Sequence, residues 1–358
     1  MITRLNSIIN DKLIFKSKVI KLKFLITGGL GFIGSSLIRK IIKETDHQVL
    51  NLDKQTYASN ILNLKSIELD ERYTFVKGDI CDEILIKKLL FDFQPDYLMH
   101  LAAESHVDNS INNPSEFIKT NIFGTFSLLK NCHKYWESLP KKKRETFKFH
   151  HISTDEVYGS QISRKLFNEN SRYDPSSPYA ASKASSDHLV RAWFKTYNMP
   201  ILISNCSNNY GPYQFPEKLI PLTILNAIQG KNIPIYGNGL QVRDWLHVED
   251  HSTALLDIIL KGKTGETYNV GGNNQIKNID IVKKICKVLD SLGIDKPAGS
   301  KSFGDLITFV KDRPGHDLIY GIDPQKIYKE LNWSPKIKFE EGIKDTIIWY
   351  LNNKNRFL

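Results

Sequence analysis

Leu22-Lys23-Phe24-Leu25-Ile26-Thr27-Gly28-Gly29-Leu30-Gly31-Phe32-Ile33-Gly34 is the stretch that decides the fold. Its first six residues form a short apolar run that ends at glycines, which reads as a buried parallel strand. The glycines follow a GxxGxxG spacing and open a helix expected over about 32 to 45. Strand, glycine loop and helix in that order form a dinucleotide-binding fingerprint. Gly28 permits the tight turn, Gly31 lets the backbone approach a pyrophosphate at the positive end of the helix, and Gly34 allows the helix to pack close to the sheet.

The same rhythm continues outward from this unit. Strands are expected at 48 to 52, 73 to 77, 96 to 101, 147 to 153 and 200 to 204, with helices over 82 to 91, 114 to 137 and 178 to 197. Such alternation implies an α/β fold, a doubly wound parallel sheet of Rossmann type with right-handed crossovers. After Asn205 the rhythm breaks. Residues 206 to 242 are rich in Gly, Pro, Asn and Tyr around one helix near 217 to 229, and a strand near 267 to 270 could return to the main sheet. The division expected is an extension at 1 to 21, an NAD-binding domain at 22 to 205 with returning segments near 243 to 272, and a smaller α/β sugar-nucleotide-binding domain from 206 to 242 and 273 to 358.

Composition narrows the function class. With 41% hydrophobic and 25% charged residues among 358, the chain is an ordinary globular one. Its formal charge of +10 is unevenly placed: residues 1 to 23 carry Arg4, Lys12, Lys16, Lys18, Lys21 and Lys23 against Asp11 alone, leaving +5 for the rest. That balance suits anionic small substrates as well as it suits a polynucleotide, and no nucleic-acid partner is expected. The dense run Lys141-Lys142-Lys143-Arg144 is read as a solvated loop. Cys81, Cys132, Cys206 and Cys286 form no CxxC pair, so neither a metal site nor a disulfide framework is expected, and a reducing cytoplasm fits. No stretch is apolar for long enough to span a bilayer, and no membrane partner is expected.

The cofactor should be NAD. Asp53 ends the second strand 19 residues beyond Gly34, where a carboxylate can accept ribose hydroxyls and would repel a 2′-phosphate, although Lys54 could soften that repulsion. Asp79 is placed to meet the adenine edge or to cap a helix. Leu101-Ala102-Ala103 and Ser105 end the fourth strand with small residues, which lets a nicotinamide ribose lie close to the backbone.

Chemistry is carried by two motifs. Tyr179 and Lys183 stand one helical turn apart on one face. With an ordinary pKa of about 10, a tyrosine base needs help, and a lysine ammonium together with the oxidised cofactor's positive charge would favour its phenolate. Thr154 would orient the substrate alcohol. Beside it, Asp155 and Glu156 set this chain apart from a simple dehydrogenase. Oxidising C4 of a hexose acidifies the proton at C5, so a base there and an acid at the C6 hydroxyl can eliminate water. Two adjacent carboxylates can divide those roles, Glu156 as base and Asp155 as acid.

At these residues the chain resembles the dTDP-glucose 4,6-dehydratase family of the extended short-chain dehydrogenase/reductase superfamily, over roughly 22 to 350. The matching runs are TGGLGFIGS, HLAAESHVD, STDEVYG, SNNYGPYQFPEKLIP, YGNGLQVRDWLHVEDH and DRPGHD. The resemblance implies a tightly held NAD that takes a hydride from C4 and returns it to C6 after water leaves. It implies further cofactor contacts at Phe32, Ile33, Ile80 and Thr120. It also implies that Ser105, Thr154, Asn208, Lys218, Leu219, Pro234, Tyr236, Arg243, Asn278, Arg313 and His316 line the sugar-nucleotide site, and Arg243 and Arg313 would suit a pyrophosphate because a guanidinium fork matches its oxygens. A homodimer is implied as well, built from the helices at 114 to 137 and 178 to 197. Asn109 stands where the family commonly has an arginine. The alternatives are a UDP-glucose 4,6-dehydratase, a nucleotide-sugar C4 epimerase, and a non-catalytic NAD- or nucleic-acid-binding protein.

Overall fold

The computed structural model describes residues 21–161 and 165–357. The extension expected at 1 to 21 lies, but for its last residue, outside the described residues. The chain then runs through β1 (Lys23–Thr27), α1 (Phe32–Glu44), β2 (Gln48–Asp53), β3 (Tyr73–Lys77), α2 (Glu83–Phe93), β4 (Tyr97–His100), α3 (Val107–Asn112), α4 (Pro114–Phe117), α5 (Thr125–Ser138), α6 (Lys141–Thr146), β5 (Lys148–Thr154), α7 (Pro178–Tyr197) and β6 (Ile201–Cys206). β7 (Asn208–Tyr210), α8 (Leu219–Ile228), β8 (Ile233–Tyr236), β9 (Val242–His247), α9 (Val248–Lys261), β10 (Thr267–Val270), β11 (Gln275–Lys277), α10 (Asn278–Ser291), β12 (Ile307–Val310), α11 (Gln325–Leu331) and α12 (Phe339–Asn352) complete it.

Seven strands form one parallel sheet in the order β10-β6-β5-β4-β1-β2-β3. The order reverses between β1 and β4, and in an open parallel sheet the crevice outside the strands' carboxyl ends at such a point receives the ligand. Both faces of the inner sheet are covered, which is why β1, β2, β4 and β6 are buried with no in-out alternation. Leu37, Ile38, Ile41 and Ile42 of α1 pack with Leu255, Ile258 and Ile259 of α9 over one face. Leu89 and Leu90 of α2, Leu128 and Leu129 of α5 and Val190 of α7 pack over the other. A separate apolar core joins Ile220 and Ile224 of α8, Ile281 and Ile285 of α10, and Ile343 and Ile347 of α12.

Local signals account for most boundaries. Asp82 accepts from the amides of Ile84 and Leu85 at the start of α2, and Ser177 accepts from Ala180 N ahead of Pro178 at the start of α7. Asn198 closes α7 in the left-handed region, at φ 53°. The return of β10 to the main sheet agrees with the sequence expectation, whereas β9 pairs with β7 and β11 in a small sheet of its own.

Two expectations are corrected. The helix expected over 114 to 137 is interrupted by a π-helical turn at Ile118–Gly124 between α4 and α5. The Asn121 carbonyl there accepts from both Thr125 Oγ1 and Ser186 Oγ at 2.6 Å. The basic run Lys141–Arg144 was expected in a loop. It forms the first turn of α6, which starts after Pro140 and is exposed along its length.

Candidate active site

The glycine loop follows from sterics. Gly28 has φ +76°, and a Cβ there would lie 2.6 Å from Ala102 N and 2.8 Å from the Leu101 carbonyl carbon. A Cβ on Gly34 would lie 2.3 Å from the Gly28 carbonyl oxygen. The loop therefore packs directly on the end of β4, and the amino end of α1 opens onto a cleft lined by Gly28, Gly31, Phe32, Ile33 and Gly34.

Asp53, Lys54, Asp79, Ile80, Leu101, Ala102, Ala103, Ser105, Thr120, Tyr179 and Lys183 line the same cleft, so every expected cofactor residue is brought together. Asp53 already serves the protein: its carboxylate accepts from Leu30 N at 2.9 Å, Gln55 N at 2.8 Å and Ser59 Oγ at 2.8 Å. Three of about four lone-pair positions are then used, which leaves room for one further donor. Lys54 pairs with Asp79 at 2.9 Å. Burial would raise the Asp79 carboxyl, but the Cys81 amide and the Lys54 ammonium outweigh it and hold it below the ordinary range. The charge that could have tolerated a 2′-phosphate is thereby engaged. Asp79 does not cap α2, a role that falls to Asp82.

The chemical groups sit at the end of β5. Thr154 caps a short 3₁₀ turn, Asp155–Tyr158, by accepting from Glu156 N, so sequence neighbours Asp155 and Glu156 leave the strand in different directions. Asp155 is 3% exposed, and its Oδ2 has no protein partner. Burial first, then Glu156 and Asp244, raise this carboxyl well above the ordinary range, which favours its protonated form. Glu156 is also raised by burial, but Arg313, Arg243 and Lys218 pull it the other way. The pair thus has the divided character that acid and base roles require.

Tyr179 packs against Val107 and Phe117. Burial raises its phenol well above the ordinary range and Glu156 adds to this, while a hydrogen bond with Thr154 opposes it. Lys183 Nζ donates to the Ile152 carbonyl at 2.8 Å, and burial lowers it to about 8. In the protein alone, burial is the largest influence on the phenol.

The sugar-nucleotide residues fall into two groups. Ser105, Thr154, Asn208 and Lys218 line the cleft, where Lys218 Nζ reaches across to the Ser105 carbonyl at 2.9 Å. Tyr236 and Arg313 meet at Asp108, with the Tyr236 hydroxyl donating to Oδ2 at 2.9 Å and Arg313 Nη1 lying 3.4 Å from Oδ1, and the Arg313 charge also acts on Glu156. His316 stands edge-on to Tyr236 and pairs with Asp312 at 2.6 Å. Leu219 opens α8, Pro234 precedes Tyr236 by two residues on β8, and Asn278 opens α10 with its Oδ1 unpartnered. Arg243 is 4% exposed and donates to the carbonyls of Val242, Asp317 and Leu318. Its guanidinium is engaged by backbone, and its charge acts on Glu156 and Asp155 through space. Asn109 lies exposed on α3.

Sequence reasoning passed over several participants. Asn121 holds the Glu104 backbone from both sides and donates to Ser182 Oγ at 2.8 Å. Asp187, one turn past Lys183, accepts from Tyr173 at 2.8 Å and faces His151 at 3.3 Å. Tyr320 lies 3.4 Å from Glu156 Oε2. Only Asp187 carried a sequence signal, its helical spacing from Lys183.

Cleft-lining Ser153 Oγ, Asp155 Oδ2, Ser207 Oγ, Asn208 Oδ1 and Gln214 Oε1 have no protein partner. Buried polar atoms of this kind are expected to be hydrogen-bonded. With the glycine cradle and the free position on Asp53, they fit a dinucleotide beside a polar substrate.

The chain matches the GDP-mannose 4,6 dehydratase family over residues 25–346. It is 58% identical over 342 residues to a dTDP-glucose 4,6-dehydratase of Escherichia coli, covering 93% of this chain and 94% of that one. Among solved structures, it resembles the dTDP-glucose 4,6-dehydratase of Bacillus anthracis in complex with NAD, with a TM-score of 0.81 and 40% identity over 93% of this chain and 98% of that chain. It also resembles that of Streptomyces venezuelae with NAD bound, with a TM-score of 0.84 and 39% identity over 94% and 98%.

Proposed function

The chain belongs to the dTDP-glucose 4,6-dehydratase family, and we propose that it converts dTDP-glucose to dTDP-4-keto-6-deoxyglucose with a resident NAD. The observation that carries this reading is the Asp155–Glu156 pair, with its divided environments, beside Tyr179 and Lys183 in one cleft. Gly28, Gly31, Gly34, Asp53 and Lys54 would hold the cofactor, which supplies the hydride acceptor for C4 and the hydride donor for C6.

In this reading Thr154 orients the C4 hydroxyl and Tyr179 takes its proton. The bound cation's charge would offset the burial that keeps the phenol neutral. Glu156 takes the proton at C5, made acidic by the C4 ketone. Asp155 gives its proton to the departing C6 hydroxyl, which leaves as water. Glu156 then returns a proton to C5 as C6 is reduced. Arg313, Arg243 and Lys218 oppose the burial that raises Glu156 and so favour the ionised form that a base requires.

The cap formed by 206 to 242 and 273 to 358 is read as the sugar-nucleotide side of the site. A homodimer is supported by an aromatic run across the π-turn, α5 and α7. Phe123 meets Phe126 at 6.1 Å, Phe126 meets Trp193 at 6.0 Å, and Trp193 meets Tyr197 at 5.6 Å. Phe123 and Tyr197 nonetheless remain 64% and 46% exposed, an apolar surface that a second copy would cover. A cytoplasmic setting is supported by four free cysteines. No helix among the described residues is long and apolar enough to cross a membrane.

The test is mass spectrometry of the nucleotide after separate incubation with dTDP-glucose and UDP-glucose. A product lighter by one water, formed faster from dTDP-glucose, is expected. Equal rates would remove the base preference, and an unchanged mass with galactose appearing would make the protein an epimerase.

A further inference from the structure

Glu156 also meets a residue that does not line the cleft. Its Oε2 lies 3.4 Å from the Tyr320 hydroxyl, which itself donates to Asp317 Oδ2 at 2.6 Å. The other Asp317 oxygen, Oδ1, accepts from Ser176 Oγ at 2.7 Å. Tyr320 and Asp317 are 4% and 8% exposed, while Ser176 is exposed. An unbroken series of oxygens therefore runs from the base to the surface. It is held in place by Arg243, whose guanidinium covers the Tyr320 ring at 4.2 Å and donates to the Asp317 carbonyl at 2.9 Å.

The proton count along this series is informative. A phenol has one proton to give, yet Tyr320 stands between two carboxylates. Both contacts become hydrogen bonds only when one carboxylate is protonated and donates to the phenol oxygen. Protonated Glu156, the state that exists just after C5 is deprotonated, supplies that arrangement: Glu156 donates to Tyr320, and Tyr320 donates to Asp317.

We propose that Tyr320 and Asp317 form a proton relay that connects Glu156 to solvent at Ser176 during turnover. The proposal rests on the reading of Glu156 as the C5 base. In the outward step, the Glu156 O–H bond breaks as a new O–H bond forms on Tyr320, and Tyr320 gives its original proton to Asp317. Asp317 then passes one proton to water at the exposed Ser176 end. One proton leaves Glu156 and one enters solvent, with no change of oxidation state, and the reverse sequence reloads the base. Tyr320 never becomes a phenolate, in keeping with the burial that, with Glu156 beside it, raises its phenol far above the ordinary range. Tyr320 and Asp317 act through Glu156 and do not touch the reacting carbons. The consequence is that the hydrogen replaced at C5 comes from solvent and not from the substrate.

The test uses the whole enzyme and dTDP-glucose carrying deuterium at C5, in ordinary water, with the deuterium kept at C5 of the product read by NMR. The intact enzyme should wash out nearly all of it. Tyr320→Phe breaks the relay, so a deuteron held on Glu156 returns to the carbon it left, and retention should rise several-fold. Asp317→Asn breaks the next link and should move retention the same way, and it decides the matter if Tyr320→Phe does not fold. A purely structural role would lower kcat and leave retention at the wild-type level. Unchanged retention in the folded variants, or high retention in the intact enzyme, overturns the relay. Failure of the underlying reading looks different: either the intact enzyme yields no product lighter by one water, or Glu156→Gln still yields it.

Discussion

Lys183 and Asp187 lie one turn apart on the same face of α7, and both are buried, at 4% and 0% exposure. Burial lowers the Lys183 ammonium to about 8, and the Asp187 carboxylate is the main influence holding it up. A lysine with its pKa lowered to this value is charged below pH 8 and loses its charge as pH rises through 8. kcat should therefore fall on the alkaline side with a midpoint near 8, and Asp187→Asn should move that midpoint to lower pH. A pH profile of kcat for both proteins checks this, and a limb that Asp187→Asn leaves in place would remove Asp187 from the account.

The two acids should separate by isotope exchange. Glu156→Gln should abolish both water loss and exchange of the C5 hydrogen, whereas Asp155→Asn should block water loss and leave C5 exchange running. Each should lower kcat by roughly 10²- to 10⁴-fold, the usual worth of a positioned acid or base. Because burial raises Glu156, and the base must be ionised, activity should fall with decreasing pH at values above those of an ordinary glutamate. The measurement is kcat against pH alongside NMR of the C5 position.

Gly34 is where cofactor retention meets packing. A Cβ there would press on the Gly28 carbonyl at 2.3 Å, and relieving that overlap in a packed region costs about 1–3 kcal/mol. Gly34→Ala should purify with little bound NAD and unfold at a lower temperature, as read by absorbance and calorimetry. A variant with full cofactor content would show that α1 can shift without disturbing the cradle.

Phe123 is 64% exposed at the centre of the proposed dimer surface. Phe123→Asp places a charge there and should convert a dimer into a monomer by analytical ultracentrifugation. A wild-type protein that is already monomeric would remove this part of the account.

The sequence made the cofactor half of the site legible because its signals are local. Strand, glycine loop and helix are contiguous from Lys23 to Glu44, and Tyr179 and Lys183 share one helical turn. The acids Asp155 and Glu156 were legible for the same reason. The relay was not, because Glu156, Ser176 and Tyr320 come from segments separated by up to 164 residues, and nothing in the intervening chain announces their meeting. Arg243 shows a different limit. Residue type gives no sign that the carbonyls of Val242, Asp317 and Leu318 take three of its N–H donors. The π-turn at Ile118–Gly124 was hidden, and the contact that Ser186 on α7 makes with it, donating to the Asn121 carbonyl, is tertiary.

The most direct measurement uses dTDP-glucose carrying deuterium at C4, with the product analysed by NMR and mass spectrometry. Oxidation, elimination and reduction in one cleft predict a product lighter by one water with the deuterium at C6. Deuterium that remains at C4 with no loss of water, or a product that has lost its deuterium to solvent, would contradict the account.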